Sequence, residues 1–72
     1  MMNIVTIKTE YITMGQFLKL SECINTGGQA KTFLEETKIT VNGENENRRG
    51  KKLYNDYIVD VEGFGIFKVV RS

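Results

Sequence analysis

The stretch Thr26–Gly43 reads TGGQAKTFLEETKITVNG, and its first four residues carry the signals of a helix start. Thr26 is followed three residues later by Gln29, which is the spacing of a capping box. In that motif both side chains accept hydrogen bonds from backbone N–H groups that a helix start leaves unpaired. Gly27 and Gly28 lie at this entrance, where the absence of a side chain permits a tight turn and close approach to a ligand.

The rest of the stretch predicts a short helix, a strand and a hairpin turn. Ala30, Phe33 and Leu34 recur at the spacing that places apolar side chains on one face of a helix. Ile39–Val41 has the β-branched composition of a strand. Asn42–Gly43 follows it, and this dipeptide is the strongest short-range signal for a two-residue hairpin turn.

The residues upstream predict a strand and a first helix. Asn3–Lys8 has the alternating, β-branched composition of a short strand, which we expect at the edge of a sheet. Thr13 and Gln16 repeat the capping-box spacing. Apolar residues then fall on one helical face: Met14, Phe17 and Leu18. We expect this helix to end before Asn25.

The residues downstream of the hairpin turn predict an exposed segment followed by more β-structure. Glu44–Lys52 contains no apolar residue and is expected to be an exposed loop or ribbon, whereas Leu53 returns to the core. Turns and strands then alternate: a turn at Tyr54–Asp56, a strand at Tyr57–Val61, a turn at Glu62–Gly65 and a strand at Ile66–Val70. This order predicts an α+β fold in which two helices pack on a small, mostly antiparallel sheet. We expect all four phenylalanines in its core: Phe17, Phe33, Phe64 and Phe67.

Length and composition limit the class of protein. With 72 residues, the chain is expected to form a single domain, residues 1–72, with a small core. No apolar run reaches the roughly 20 residues that span a bilayer, and the N-terminus lacks the pattern of a signal peptide. Cys23 is the only cysteine, so no disulfide can form within the chain. These features favour a cytoplasmic protein without membrane contact.

The composition offers little for catalysis. The chain contains no histidine, and therefore neither an imidazole acid or base nor a Cys/His metal site. Its glycines match no nucleotide-binding fingerprint, and no apolar pocket is expected around its neighbouring acids. We therefore expect a binding module and not an enzyme, with no cofactor, metal or small-molecule substrate.

Positive charge is concentrated in one short segment, although the net charge of the chain is only +1. This basic segment, Arg48–Lys52, contains four of the ten basic residues: Arg48, Arg49, Lys51 and Lys52. The acidic residues are expected to lie elsewhere, so the segment predicts a basic surface. Guanidinium and ammonium groups suit phosphate oxygens. A solubilising loop would have the same composition.

Three other places could extend a phosphate-binding surface. The entrance of the second helix holds four candidate residues: Gly28, Gln29, Ala30 and Lys31. Free N–H groups and the helix dipole favour an anion there, although a capped helix with one surface lysine is the ordinary alternative. Lys19 on the first helix could add charge, or could simply be solvated. Tyr54, next to the basic segment, could stack on a base.

These motifs resemble the αL motif of the RNA-binding domain named after ribosomal small-subunit protein S-four. Four matches carry the resemblance. Two lie in the opening stretch: Ala30–Lys31 at a helix entrance and Ile39–Gly43 as the following strand and turn. The other two are Met14 and Leu18, at the two leucine positions of the preceding helix, and Lys51–Leu53 with Asp56–Val59, as the basic turn and the strand after it. Together they cover roughly residues 12–61. The chain is most similar to the short stand-alone YaaA-type members of Gram-positive bacteria, whose motifs occur here at Gly27–Lys31 and Asn47–Tyr54.

The resemblance implies an S-four-like fold that binds structured RNA, either ribosomal RNA or a ribosome-associated RNA. Two customary charges of the broader family are missing, because Thr13–Gly15 replaces Arg-Leu-Asp and Gly27 replaces an arginine. More of the phosphate contact is therefore expected from the basic segment, with little reading of bases. Two other classes stay open, namely a protein-interaction module that uses a sheet edge or apolar patch, and DNA binding by the same basic surface.

Overall fold

A computed structural model of the chain describes residues 2–72, which form two short helices and two β-sheets. The helices are α1 (Met14–Leu20) and α2 (Ala30–Glu36), and a 3-10 turn at Gly27–Gln29 leads directly into α2. The strands are β1 (Met2–Ile7), β2 (Tyr11–Thr13), β3 (Ile39–Val41), β4 (Glu44–Asn45), β5 (Lys52–Tyr54), β6 (Ile58–Val61) and β7 (Gly65–Arg71). The four strands that the sequence predicts are present, and β2, β4 and β5 are additional.

The larger sheet has five strands in the order β1-β7-β6-β3-β4. Its first and last strands in the chain, β1 and β7, are parallel neighbours, and every other pair in it is antiparallel. β1 lies at one edge, as its sequence predicts. The smaller sheet is a ribbon of two antiparallel strands, β2 and β5. The predicted α+β architecture with a mostly antiparallel sheet is therefore confirmed.

One face of the five-stranded sheet is buried beneath the two helices. Alternate strand residues point to this face because the side-chain period of a strand is two. They form the sheet's share of the core: Val5, Ile7, Ile39, Val41, Val59, Val61, Phe67 and Val69. The helices contribute Met14, Phe17, Leu18, Ala30 and Leu34. The ring of Phe17 meets that of Phe67 edge-on, with centroids 5.4 Å apart, and this contact joins α1 to β7.

The start of α1 has the capping box that its sequence predicts. The backbone N–H of Gln16 donates to the hydroxyl oxygen of Thr13 at 3.4 Å. In return, the side-chain oxygen of Gln16 accepts from the backbone N–H of Thr13 at 3.1 Å. Because unpaired N–H groups destabilise a helix end, this exchange defines where α1 begins.

The predicted Asn42–Gly43 turn joins β3 to β4, and both of its residues have positive φ, 51° and 89°. This geometry is that of a type I′ hairpin turn, which follows the twist of the strands it connects. Asn42 also ties the turn to β6, because its backbone N–H donates to the carbonyl of Ile58 at 2.8 Å and its side-chain oxygen accepts from the N–H of Ile58 at 2.9 Å.

Two details of the sequence prediction are wrong. Phe64 is not a core residue: it is half exposed in the turn between β6 and β7, and its ring packs on that of the half-buried Phe33 at a centroid distance of 5.3 Å. Tyr54, assigned to a turn, is the last residue of β5, and the turn itself is Asn55–Asp56. Both errors have the same cause, since neither ribbon pairing nor ring–ring packing at the surface leaves a periodic signal.

The hairpin turn can be tested with two glycines that differ in backbone conformation alone. A Cβ atom would meet nothing within 4 Å at either Gly43 or Gly50, but Gly43 alone of the two has positive φ. Gly43→Ala should therefore destabilise the fold by about 1–2 kcal/mol, because an L residue is strained there. For a domain of this size, that loss lowers the melting temperature by several degrees. Gly50→Ala is the control, and equal melting temperatures for the two variants would contradict this account of the turn.

Candidate nucleic-acid interface

The backbone of the basic segment is bound to the first turn of α1. The N–H of Met14 donates to the carbonyl of Lys51 at 2.8 Å, and the N–H of Gly15 donates to the carbonyl of Arg49 at 2.9 Å. A tight turn between them is closed by the N–H of Lys51, which donates to the carbonyl of Arg48 at 3.2 Å. These bonds pair two amides that a helix start would otherwise leave unsatisfied. They also fix the backbone of a segment that contains no apolar side chain.

The side chains of the basic segment are directed toward solvent while its backbone is held. Arg49 and Lys52 are exposed, and Lys51 is half-buried. The side chain of Arg48 keeps 72% of its surface accessible. The first turn of α1 cannot itself hold a phosphate, because its N–H groups are already bonded to Lys51, Arg49 and Thr13. The cationic side chains of the basic segment are therefore the candidate anion-binding groups at this place.

Gly15 brings the basic segment close to the start of α2. A Cβ atom at this position would lie 3.8 Å from the Cβ of Arg49 and 3.9 Å from the Cβ of Ala30. These are ordinary van der Waals distances, so the first turn of α1 lies against both the basic segment and the start of α2. The sequence gives no signal for this contact, because Gly15 lies far from Arg49 along the chain.

The helix entrance, Gly28–Lys31, has three residues at the surface and one in the core. Gly28, Gln29 and Lys31 are exposed, whereas Ala30 is buried and its N–H donates to the carbonyl of Gly27. The side-chain oxygen of Gln29 accepts from the N–H of Thr26 at 3.0 Å, as the capping-box spacing predicts, and also from the N–H of Asn25 at 2.7 Å. Ala30 thus acts as packing beneath the entrance, and its predicted place among RNA-contacting residues does not fit its burial. Lys31 is the cation of this entrance.

Arg48 forms an ion pair with Glu46, a contact that no signal in the sequence predicts. Its Nε and Nη2 atoms donate to the two carboxylate oxygens of Glu46 at 2.9 and 3.1 Å, and its backbone N–H also donates to that carboxylate at 3.1 Å. The side-chain bonds from Arg48 are the main cause that lowers the pKa of Glu46 to about 2. The expectation that all acids lie away from the basic segment is therefore wrong for Glu46. A two-residue separation allows this fold-back, and Arg48 is partly neutralised by it.

The remaining predicted site residues divide between near and distant positions. The ammonium of Lys52 lies over the ring of Tyr11, 4.9 Å from its centroid, and Tyr54 packs on the same ring at 5.7 Å. Tyr54 is half-buried. Lys19 is exposed in the last turn of α1, at the other end of the helix from the basic segment. The structure therefore does not bring Lys19 next to the basic segment. The helix dipole by itself explains why a lysine is favourable in this last turn.

The residues 2–72 contain no helix long and apolar enough to cross a membrane. In the same range, no group of three or more His, Cys, Asp or Glu side chains could hold a metal ion. Arg48–Glu46 and Lys68–Asp56 are the ion pairs found among these residues. Within the described part of the chain, Arg49, Lys51, Lys52 and Lys31 thus carry positive charge that no acidic side chain neutralises by direct contact.

This combination of fold and motifs agrees with the chain's similarity to known proteins. The family model of the S4 domain matches residues 5–70, so the chain belongs to the S4-domain family. The resemblance in the αL motif is thereby confirmed. A relative of nearly the same length is the probable ribosome maturation protein RlbA of Bacillus subtilis (strain 168). It is 56% identical over 70 residues, which cover 97% of this chain and 99% of that protein.

The ion pair between Glu46 and Arg48 predicts an unusual acid titration. Glu46 should stay ionised below its ordinary pKa of 4.5 and titrate near pH 2. Because the folded pKa is lowered, the pair stabilises the fold above about pH 4.5, and this contribution is lost as the pH falls toward 2. NMR of the side-chain carboxyl carbon during a pH titration measures this pKa directly.

Arg48→Gln should return the pKa of Glu46 toward 4.5, because the largest cause of the shift is removed. Lys51→Gln is the matched control: Lys51 contributes only the smallest of the causes, so this variant should leave the pKa of Glu46 low. Similar titration curves for Glu46 in the two variants would show that the Arg48 contact is not formed in solution.

Proposed function

We propose that this protein is a non-enzymatic, cytoplasmic RNA-binding module, a single domain that grips the phosphates of structured RNA. The basic face consists of the basic segment together with Gly28, Gln29 and Lys31 of the helix entrance. One observation carries the proposal: the bonds from Met14 and Gly15 hold the backbone of the basic segment, while its cationic side chains reach solvent. A rigid backbone presents these charges at fixed spacing, which reduces the entropy lost on binding.

Electrostatics supports a polyanion as the ligand. Arg49, Lys51 and Lys52 lie within four positions and repel one another in the free protein, with only Arg48 paired to an acid. Phosphates would relieve this repulsion and release the counterions condensed on RNA. Arginine can bind a phosphate through two parallel hydrogen bonds, and Arg48 already shows this geometry with the carboxylate of Glu46. A phosphate could therefore replace the carboxylate of Glu46 as the acceptor of the two hydrogen bonds from the Arg48 guanidinium.

Membership of the S4-domain family and the name of the Bacillus relative support a ribosomal setting. Within it, we propose ribosomal RNA or a ribosome-associated RNA as the ligand. Recognition would rest on the spacing of phosphates and the shape of the helix, since the cations contact backbone oxygens and not base edges. DNA binding by the same face is the alternative that competition by duplex DNA would identify.

A protein-interaction module is the second candidate, and the outer face of the five-stranded sheet favours it. Met2, Ile4 and Ile66 are exposed there, opposite the helices. Their register brings them together, because Met2 pairs with Ile66 across β1 and β7. Binding through such a patch would depend weakly on salt, whereas binding through phosphates weakens steeply as salt rises.

The helix entrance is tested by reversing one charge. Lys31→Glu should weaken binding to a structured RNA severalfold, because it places a repelling carboxylate where a phosphate is proposed. Lys38→Glu is the matched control, since Lys38 is also exposed but follows the other end of α2. Electrophoretic mobility shifts with an rRNA-derived hairpin measure both. Equal affinities for the two folded variants would exclude the entrance from the site.

The basic segment is tested by its salt dependence. If all four cations meet phosphates, the slope of log affinity against log salt has a magnitude of roughly 3 to 4. Replacing Arg48, Arg49, Lys51 and Lys52 by Gln should abolish most RNA affinity and flatten that slope. Apart from the contribution of the exposed Arg48–Glu46 ion pair, stability should change little, because these side chains lie outside the core.

The matched control replaces four exposed cations outside the basic face by Gln: Lys8, Lys19, Lys38 and Arg71. It has the same net charge as the first variant, so a general charge effect would lower both affinities equally. Circular dichroism confirms that each variant is folded. Equal affinities and slopes for the wild type and the basic-segment variant would overturn the proposed function and favour the protein-interaction module.

A further inference from the structure

The outer face of the ribbon continues the basic segment. β5 begins with Lys52, the last cation of the segment, and pairs with β2 so that Tyr11 faces Tyr54 and Thr13 faces Lys52. Between them, Ile12 and Leu53 are buried. Because successive side chains alternate across a strand, the other four residues share the opposite face of the ribbon. This face therefore joins two aromatic rings to a cation at the margin of the basic face.

All three tyrosines of the chain lie in one cluster at this place. The ring of Tyr54 is central, 5.7 Å from Tyr11 and 5.6 Å from Tyr57. Tyr57 packs against the core, and both Tyr54 and Tyr57 are half-buried. Tyr11 is the outermost ring, with 37% of the residue exposed. A ligand at the surface would thus reach Tyr11, while the half-buried ring of Tyr54 packs beside it.

The contact that covers Tyr11 is one that RNA can replace. The ammonium of the exposed Lys52 lies 4.9 Å from the ring centroid and is held by a flexible side chain. A cation on an exposed ring is bound weakly because water competes for it. A nucleobase would cover more of the ring, and the displaced ammonium could pair with the phosphate of the same nucleotide.

We propose that Tyr11 is a stacking platform for one unpaired base of the RNA, with Lys52 on the phosphate of that nucleotide. The ligand would then be an RNA helix interrupted by a bulge or ending in a loop, because bases within a duplex are not free to stack on a protein ring. The inference rests on the proposed function and specifies its ligand. It also transfers the stacking role that the sequence suggested for Tyr54 to its cross-strand partner.

The test uses two hairpin RNAs that are identical except at one bulged position, which holds a nucleotide in one and an abasic residue in the other. Both RNAs have the same number of phosphates, so the ratio of their affinities measures the contribution of the bulged base alone. The wild-type protein should bind the RNA with the bulged base about tenfold more tightly. Tyr11→Leu should bind both RNAs equally, whereas Tyr11→Phe should keep the ratio because the ring is retained.

Phe64→Leu is the matched control, since it removes an exposed ring that packs on another ring outside the basic face. Its affinity ratio should equal that of the wild type. An unchanged ratio in folded Tyr11→Leu would overturn the inference, and so would a wild-type ratio near one. If the wild type bound neither RNA in a salt-dependent manner, the proposed function itself would fail.

A second measurement on the wild-type protein avoids any effect of substitution on folding. 5-Iodouridine at the bulged position forms photochemical crosslinks to an aromatic ring stacked on it. Mass spectrometry of the crosslinked peptide should identify Tyr11. A crosslink to Tyr54 or Tyr57 in place of Tyr11, or no crosslink to any of the three tyrosines, would overturn the assignment of Tyr11 as the platform.

Discussion

Two hydrogen bonds at the start of α1 organise the candidate interface. The N–H groups of Met14 and Gly15 point out of the helix and require acceptors, and the carbonyls of Lys51 and Arg49 supply them. This pairing continues directly into the ribbon, where Thr13 faces Lys52. The basic segment is thus held by its backbone, because its carbonyl groups accept hydrogen bonds from N–H groups that the start of a helix leaves unpaired. None of its side chains belongs to the core, and Arg49, Lys51 and Lys52 have no acidic partner among residues 2–72.

The same arrangement explains why small residues occur where α1, α2 and the basic segment meet. Gly15 and Ala30 lie between the two helix starts, and a Cβ atom on Gly15 would already touch Arg49 and Ala30. Ala30 is buried there, although it stands between two exposed residues, Gln29 and Lys31. Closely packed small residues therefore lie beneath the basic face. In the proposed function, such a surface would bind phosphates at fixed spacing, which a mobile basic loop of the same composition would not provide.

The sequence predicted those features whose signals are local. Thr13 with Gln16, and Asn42 with Gly43, are a few residues apart, and their capping and turn geometries are as expected. Apolar spacing also predicted both helices, and β-branched composition and turn signals predicted the main strands. Pairings between distant segments were missed: β2 has only three residues, too few for a periodic pattern, and its partner β5 lies far along the chain.

Of the candidate site, the sequence identified the cations but not their surroundings. The basic segment and Lys31 were found from charge and position, whereas the ion pair of Arg48 with Glu46 and the ring of Tyr11 beneath Lys52 depend on how the chain folds back. Exposure was also misjudged for Phe64, whose half-exposed ring packs on Phe33 at the surface. Aromatic residues bury well in general, and composition alone does not separate a core ring from a surface pair.

The claim that one preorganised face binds RNA is tested most directly by NMR of the uniformly ¹⁵N-labelled protein during titration with a structured RNA hairpin. The account predicts that the amides with the largest shift changes lie in the basic segment and the helix entrance, together with Met14 and Gly15, which are bonded to that segment. The amides of the outer sheet face, such as Ile4 and Ile66, should change little. Changes confined to that sheet face, or no changes at low salt, would contradict the account.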